Sequence, residues 1–266
     1  MRILIITLLS LAACSPGPYS TTNRDYKKQS KELSKLYLEY PVSDSAGLKY
    51  PADWVGTTNF SVRRPNFVVI HHTAQNSCEQ TLKTFTLKRT EVSSHYVICK
   101  DGTVHHMLND LLRGHHAGVS KWGNATDLNS SSVGIEMDNN GFEPFTEEQI
   151  NSLVEVLGRL KRAYNIPTAN FIGHADVAVG RKVDPNRYFP WKKLADNGFG
   201  YWYDTTNVSV PADFNAVQAL RVIGYDTRKL EASINSFKIH FVQNDTTKVI
   251  SEADKKILFE LVKKYQ

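Results

Sequence analysis

Short apolar segments that end abruptly in a histidine or an acid constrain this chain more than any other feature of its sequence. The run Phe67–Ile70 is followed at once by His71, and the run Val133–Ile135 by Glu136. Apolar runs of this length are typical of buried β-strands, and polar side chains at strand ends are held rigidly by the sheet. The sequence therefore predicts β-strands whose polar groups gather where the strands end.

A further segment adds His174, Lys182 and Asp184 to these groups. Two neutral imidazoles and one carboxylate, from His71, His174 and Asp184, match the three protein ligands of a catalytic zinc ion, which keeps one position for water. The water bound to such an ion needs a base, and Glu136 is the candidate. Lys182 lies two residues before Asp184 and could stabilise an oxyanion. One zinc ion per chain is expected.

Each of these residues also has an ordinary structural interpretation. His71 alone would be a hydrogen-bonded core histidine, and Glu136 a surface acid at a strand end. Lys182 and Asp184 could form an exposed ion pair of little energetic value. The combination of residues, and not any single one, points to a metal centre.

Five stretches of the chain match one known family in the family's own order. They are VVIHHTA (68–74), SSHYVI (93–98), HHAGVSKW (115–122), SVGIEMDN (132–139) and GHADVAVGRKVDP (173–185). They cover roughly residues 60–195 and resemble the zinc-dependent N-acetylmuramoyl-L-alanine amidases of the amidase-2 family, relatives of the peptidoglycan recognition proteins. The N-terminal segment described below is similar to that of the membrane-tethered, AmiD-like branch.

The resemblance implies a role for each of the five polar residues. His71, His174 and Asp184 match the family's zinc ligands, Glu136 its acid/base glutamate and Lys182 its assisting lysine. It also implies an α/β fold, with a central mixed β-sheet flanked by helices and zinc in a groove on one side. The implied substrate is the amide between the lactyl group of N-acetylmuramic acid and L-alanine of the peptidoglycan stem peptide.

Three other polar residues are candidate substrate contacts. His116 matches a position that lines the family's groove, and Asn139 lies three residues after Glu136. His95 lies in an alternating run, where a structural role in the sheet or groove wall is the alternative.

The first 14 residues predict a secretory signal peptide that ends in a lipobox. Arg2 precedes a short apolar core, and the sequence Leu11-Ala12-Ala13 leads into Cys14, the expected lipidation site. The alternative is an ordinary signal peptide with a chance cysteine. Ser15 after the cysteine favours the outer membrane of a Gram-negative bacterium, with the protein facing the periplasm and anchored to the membrane through Cys14.

The chain divides into four predicted segments. They are the signal peptide (1–14), a polar extension (15–55), a catalytic domain (56–199) and a small C-terminal three-helix domain (200–266). The extension contains a helical pattern from Lys27 to Tyr40. In the catalytic domain, strands are predicted at 67–70, 96–99, 103–108 and 133–137. A capping box at Thr146 and Gln149 predicts a helix up to the region of Tyr164.

The predicted C-terminal helices each carry one apolar stripe. Part of this region, Val217–Leu220 with Gly224 and Tyr225, resembles the helical peptidoglycan-binding domain type 1. The later glycine-rich turn of that domain is replaced by Asn244–Lys248. Polymer binding and simple packing on the catalytic domain are both open, and the small size of the unit favours packing.

The composition of the chain limits the classes of molecule that it is expected to bind, and its cysteines limit the disulfides that it can form. The formal net charge of +5 suits an acidic wall polymer, and no motif for nucleic-acid binding is present. Cys78 and Cys99 could form a disulfide in an oxidising compartment or remain free thiols. A monomer that binds peptidoglycan or muropeptides is expected.

Three other functions remain open from the sequence. A catalytically silent wall-binding protein would generally lack part of the ligand set, which is complete here. A structural lipoprotein that tethers membrane to wall would bind wall without releasing peptides. A zinc peptidase of the thermolysin kind is disfavoured because the chain has no His-Glu-x-x-His motif.

Overall fold

A computed structural model describes residues 17–36, 57–62 and 64–266 of the chain. Chain contacts divide it into two units, residues 1–61 and 62–266. In the first unit, helix α1 (Ser20–Lys35) has no buried residue. It confirms part of the helix predicted from Lys27 to Tyr40 but begins earlier. Tyr37, Tyr40 and the lipidation candidate Cys14 lie outside the described residues.

The second unit is built on a five-stranded mixed sheet, as predicted. The strands are β1 (Phe67–His72), β2 (Tyr96–Ile98), β3 (Val104–His106), β4 (Ser132–Met137) and β5 (Phe171–Gly173). Their order is β3-β2-β4-β1-β5. Only β3 runs antiparallel to its neighbour, while β1 pairs in parallel with both β4 and β5. Strand β1 therefore ends beside the ends of two parallel neighbours.

Alternation along β1 assigns its side chains to two apolar cores, one on each face of the sheet. Val68 and Ile70 belong to the first core. Val69 belongs to the second. Because side chains alternate along a strand, His71 continues the face of Val69. The polar end of β1 thus lies on the side of the second core.

Helix α4 (Glu147–Tyr164) covers the first core. The predicted capping box is present: the Thr146 hydroxyl accepts from the backbone N–H of Gln149, whose side chain bonds back to Thr146. Leu153 and Leu157, one turn apart, are fully buried against the sheet. Asn165 ends the helix in the left-handed conformation, as helix C-termini commonly do.

The remaining helices lie between and after the strands. They are α2 (Cys78–Thr86), α3 (Leu128–Ser131), α5 (His174–Val177), α6 (Trp191–Asp196), α7 (Ala216–Ile223), α8 (Leu230–Phe237) and α9 (Glu252–Tyr265). The sequence predicted that Phe171–Gly173 leads into a loop at His174. Instead these residues form β5, and His174 begins α5. A three-residue strand is too short to show alternation.

Helices α7, α8 and α9 confirm the three predicted C-terminal helices, and they pack on the sheet. Leu220, Phe237 and Leu258 share the second core with Val69 and Ile172 of the sheet. The structure thus shows the packing alternative. The domain boundary at residue 200 stays a prediction, because residues 62–266 form one compact unit.

The segment 200–211, which its composition predicts to be a linker across the surface, contains no helix or strand. It is less exposed than expected, because Tyr201 and Trp202 pack against the second core. Among the described residues, no helix is long and apolar enough to cross a membrane.

Candidate metal centre

The ends of three neighbouring strands bring the predicted site together. His71 is the fifth residue of β1 and pairs in register with Glu136 of β4. His174 follows β5 directly as the first residue of α5. Because the carboxyl ends of parallel strands meet at one edge of a sheet, these side chains are neighbours despite wide separation in sequence. Asp184 reaches the same place from the segment after α5.

The three predicted ligands converge on one point. Nδ1 of His71 lies 3.0 Å from Nδ1 of His174. Oδ2 of Asp184 lies 2.9 Å from Nδ1 of His174 and 3.3 Å from Nδ1 of His71. All three side chains are buried. Tetrahedral zinc with bonds of about 2.0–2.2 Å would separate its ligand atoms by roughly 3.3 Å, so this donor set fits such an ion with small shifts.

The far ring nitrogens of both histidines are held by hydrogen bonds. Nε2 of His71 lies 3.1 Å from Nδ1 of His116, and Nε2 of His174 lies 3.2 Å from the carbonyl of Ala117. A carbonyl can only accept, so Nε2 of His174 carries the proton and its Nδ1 keeps a free lone pair. Hydrogen bonds of this kind fix the tautomer and orientation of metal-binding histidines.

His116 continues this chain of hydrogen bonds away from the site. Its Nε2 lies 3.3 Å from the hydroxyl of Ser132, which donates to the carbonyl of Leu128. With that direction fixed, His116 donates from Nε2 to Ser132 and accepts at Nδ1 from His71. Burial, followed by the nearby His71, lowers the pKa of His116 well below its usual range, so the ring is neutral.

The position of His116 gives it a structural role, and its predicted contact with substrate stays a prediction. Its side chain is buried and packs flat over Gly134, where an added Cβ would lie 2.5 Å from the imidazole ring. The glycine of the Val-Gly-Ile-Glu run therefore leaves room for a histidine that orients His71. No spacing in the sequence shows this contact.

The electrostatics of the ligand set favour metal-binding protonation states. Burial, together with the charge of His174, lowers the pKa of His71 to about 4, so this ring is neutral at pH 7. The Asp184 carboxylate faces the same two Nδ1 atoms, so three lone-pair donors meet at one point. The site is therefore ready to accept a cation.

The pKa of Glu136 is shifted upward, in contrast to the lowered pKa of His71. Its side chain is partly exposed, yet Oε2 is buried and has no hydrogen-bond partner among the described residues. Burial, and then repulsion from Asp184, raise the pKa of Glu136 to about 8, against the pull of Lys182. A carboxyl group with a pKa near neutrality can both accept and donate a proton, which is what general acid/base chemistry requires.

Lys182 lies on the exposed segment between α5 and Asp184. Its backbone N–H bonds to the carbonyl of Ala178, which fixes the turn. Its charge acts on Glu136, His71 and His72. Its assisting role remains a prediction.

The side chains of the two other predicted substrate contacts are completely buried. His95 bonds through Nε2 to the carbonyl of Leu112 and accepts at Nδ1 from the backbone N–H of Gly134. Asn139 accepts from the backbone N–H of Gly141 and donates to the carbonyl of Glu143. With these polar atoms bonded to the backbone, both residues shape the walls of the site.

A second buried cluster stands behind α5 and was not found from the sequence. Oδ2 of Asp176 accepts from the backbone N–H of Gly173 (2.8 Å) and lies 2.7 Å from Nδ1 of His240. Its Oδ1 accepts from the hydroxyl of Tyr225 at 2.8 Å. Asp176 thus ties the short helix that carries His174 to two residues of the C-terminal region.

Cys78 and Cys99 form a disulfide, one of the two alternatives left open by the sequence. It joins the first residue of α2 to the end of β2. His105 lies close enough for the three to resemble a metal site, but the sulfur atoms are already bonded to each other.

Comparison with known proteins agrees with this geometry. The family model for N-acetylmuramoyl-L-alanine amidase matches residues 61–187. The N-acetylmuramoyl-L-alanine amidase AmiD of Escherichia coli K12 is 32% identical over 210 residues, which is 67% of this chain and 75% of that protein. The chain belongs to the amidase-2 family. The anhydro-muramyl amidase AmpD of Haemophilus influenzae is 34% identical over 103 residues, covering 38% of this chain and 56% of that protein.

Solved structures extend the amidase-2 likeness beyond the family model. E. coli AmiD in complex with anhydro-N-acetylmuramic acid-L-Ala-D-γ-Glu-L-Lys has a TM-score of 0.69 and 27% identity, covering 85% of this chain and 99% of that one. AmpDh3 of Pseudomonas aeruginosa with anhydromuramic pentapeptide has the same TM-score and identity and covers 82% and 99%. These identities, coverages and TM-scores confirm the predicted amidase-2 fold, the AmiD-like assignment and the enzyme class.

Proposed function

We propose that this chain is a zinc-dependent N-acetylmuramoyl-L-alanine amidase that hydrolyses the bond between the lactyl group of N-acetylmuramic acid and L-alanine of the stem peptide. The observation that carries the proposal is the convergence of His71, His174 and Asp184 beside Glu136, whose buried oxygen has no partner in the described part of the chain. The AmiD complex contains a muramyl peptide with the sequence L-Ala-D-γ-Glu-L-Lys, and we propose the same substrate class here.

His71, His174 and Asp184 would hold the zinc, one ion per chain. When bound, zinc supplies Lewis acidity, which activates water and polarises the carbonyl to be attacked. His116 and Ala117 keep the two imidazoles oriented toward the ion.

Glu136 moves the proton. Its buried Oε2 has no hydrogen-bond partner in the described part of the chain, so it is free to accept the proton of the attacking water and to donate that proton afterwards. Water adds its oxygen to the carbonyl carbon, and Glu136 returns the proton to the nitrogen of L-alanine as the amide bond breaks. Lys182 contributes positive charge to the oxyanion that forms between these steps.

Membrane attachment is a separate part of the proposal. The lipobox ending in Cys14 supports lipidation, and Ser15 supports an outer-membrane location facing the periplasm, in cell-wall turnover or remodelling. Labelling with radioactive palmitate should mark the wild-type protein and not a Cys14→Ser variant. Equal labelling of both would rule out this anchor.

The amidase is tested by mass spectrometry of wall fragments incubated with the chain lacking residues 1–14. Free stem peptides that begin at L-alanine should appear, disappear on chelation and return with zinc. The Glu136→Ala variant should bind one zinc ion yet release no peptide. Fragments that stay intact while the protein co-sediments with the wall would favour a binding or tethering protein instead.

A further inference from the structure

A basic cleft begins at the segment directly before the ligand Asp184, and apart from Lys182 its lining residues have no role in the proposed mechanism. Its volume is about 550 Å³. One wall is the segment that contains Lys182 and Val183, directly before the ligand Asp184. The opposite wall is the start of α8 with Lys229 and Leu230, and Lys248 closes a third side. The cleft therefore joins the catalytic region to the C-terminal helices.

The two walls are fixed relative to each other. Gly180 has a φ of +73°, and a Cβ placed on it would lie 3.1 Å from the Cβ of Ala232 in α8. This close approach packs the segment against the helix. The Arg181 guanidinium donates to the carbonyls of Ala117 and Val119 at 2.6 and 2.9 Å, which ties the same segment to the ligand-orienting loop.

Lys248 is also held in place, through its neighbours. The buried ammonium of Lys238 donates to the hydroxyl of Thr247 at 2.8 Å and to the carbonyl of Val249 at 2.7 Å. It also pairs with Asp245 at 2.5 Å. The turn that replaces the family's glycine-rich segment is thus ordered, and it presents Lys248 to the cleft.

The charge of the cleft is unbalanced. Lys182 and Lys229 have no carboxylate within 4.0 Å in residues 17–36, 57–62 and 64–266, and Lys248 lies 4.0 Å from the exposed Glu231. Three ammonium groups therefore face one carboxylate. Val183 (58% exposed) and Leu230 (38% exposed) add apolar surface between the charges. This combination suits a peptide that carries carboxylates.

We propose that this cleft binds the carboxylates of the stem peptide beyond its L-alanine, above all the α-carboxylate that a γ-linked glutamate leaves free. The inference rests on the proposed function, since it assumes that the peptide leaves the metal centre on this side. An extended chain advances about 3.3–3.6 Å per residue, so the second residue lies within roughly 10 Å of the scissile amide. Val183 lines the cleft and directly precedes Asp184, so the near end of the cleft lies one residue along the chain from a proposed metal ligand.

The test compares muramyl tripeptides with glutamate α-carboxylate or α-carboxamide on the zinc-loaded protein. For the carboxylate substrate, Lys229→Gln/Lys248→Gln should raise KM about three- to tenfold, because exposed charge pairs are individually weak. The kcat of this double variant for the carboxylate substrate should equal that of the wild type. Its KM for the carboxamide substrate should also equal that of the wild type. High salt should reproduce the effect in the wild type. A Lys192→Gln/Lys256→Gln variant, which removes two exposed charges outside the cleft, should behave like the wild type.

A second readout separates this inference from the amidase itself. Titration calorimetry with free L-Ala-D-γ-Glu-L-Lys and its α-carboxamide measures binding without hydrolysis. The wild type should bind the carboxamide more weakly than the carboxylate, and this difference should disappear in Lys229→Gln/Lys248→Gln. That result would support the cleft even if no amide were cleaved. Equal binding of both peptides by the wild type, or an equal effect of the control variant, would overturn the cleft and leave the amidase proposal intact.

Discussion

Each histidine of the proposed metal centre is oriented by what its far nitrogen contacts. His174 donates to a backbone carbonyl, whose position depends only on the fold of the loop. His71 instead relies on another side chain, His116, and through it on Ser132. The orientation of His71 is therefore the more sensitive of the two to substitution, because a side chain can adopt another rotamer and a backbone carbonyl cannot.

Replacing Gly134 by alanine should weaken metal binding without unfolding the protein. The new methyl group would lie 2.5 Å from the His116 ring, so the ring must move and His71 loses its partner. Loss of such an outer-shell contact typically costs 10–100-fold in affinity. Competition with a chelating dye measures the zinc dissociation constant.

The matched control is Gly158→Ala in the middle of α4, where the nearest atom is the flexible end of Arg162. It should stabilise the helix slightly and leave zinc affinity unchanged. Unchanged affinity in Gly134→Ala would show that His116 does not orient His71.

The raised pKa of Glu136 makes a prediction for the metal-free protein. The native state holds this proton up to about pH 8, whereas the unfolded chain releases it near pH 4.5. Between these values the native state binds more protons, so the stability that protonation confers is lost progressively as pH rises through this window. In the Glu136→Gln variant this part of the decline should be absent. The free energies of unfolding of the wild type and the variant, measured by urea denaturation, should therefore diverge from pH 5 to pH 8. Parallel stability curves would contradict the raised pKa.

The sequence predicted the groups that sit at strand ends and missed those that act behind them. His71 and Glu136 follow apolar runs directly, and the strand pattern alone places them at one sheet edge. The partnership of His71 with His116 joins residues 45 positions apart and depends on the space left by Gly134. Such contacts depend on side-chain packing across elements, which no local pattern records.

Among the secondary-structure elements, α5 is the smallest that carries a ligand. It has four residues, too few to be stable alone. Asp176 compensates by accepting hydrogen bonds from both sides, from Gly173 before the helix and from Tyr225 in the C-terminal region. Helix α5 is therefore held by tertiary contacts, and the sequence could not predict it.

Tyr225→Phe should lower stability and zinc affinity together. It leaves the buried Asp176 carboxylate one hydrogen bond short, at a cost of about 1–3 kcal/mol in the free energy of unfolding. Because Asp176 shares its helix with His174, we also expect weaker zinc binding. Chemical denaturation and zinc competition measure the two effects.

Tyr203→Phe provides the comparison for this prediction. Its hydroxyl bonds to the carbonyl of Phe241 and not to Asp176. It should lose stability while zinc affinity stays at the wild-type value. If both tyrosine variants changed zinc affinity equally, the effect would be general loosening and not a link through Asp176.

In the molecule as a whole, the second core makes the C-terminal helices part of the catalytic fold. Val69 and Ile172 lie on the sheet face that these helices cover, and both are almost completely buried. The three helices were predictable because each carries a clear apolar stripe. Their contact with the sheet was not, since a stripe shows that a face is buried and not what covers it.

A chain that stops at residue 199 should not fold stably. Removing the helices would expose the apolar face of β1 and β5 and take away two partners of Asp176. We expect no cooperative thermal transition by circular dichroism for residues 57–199, in contrast to residues 57–266. A cooperative transition with intact zinc affinity would instead support an autonomous catalytic domain, as the predicted boundary at residue 200 suggests.

The layout of the sheet also affects how molecules meet one another. Both of its outermost strands, β3 and β5, are only three residues long. The long strands β1 and β4 are enclosed in the middle, with their backbone groups paired on both sides. Unpaired strand edges can pair with strands of neighbouring molecules and so start aggregation, and very short edges offer few backbone groups for such pairing. An enzyme crowded at high local density on a surface would gain colloidal solubility from such an arrangement.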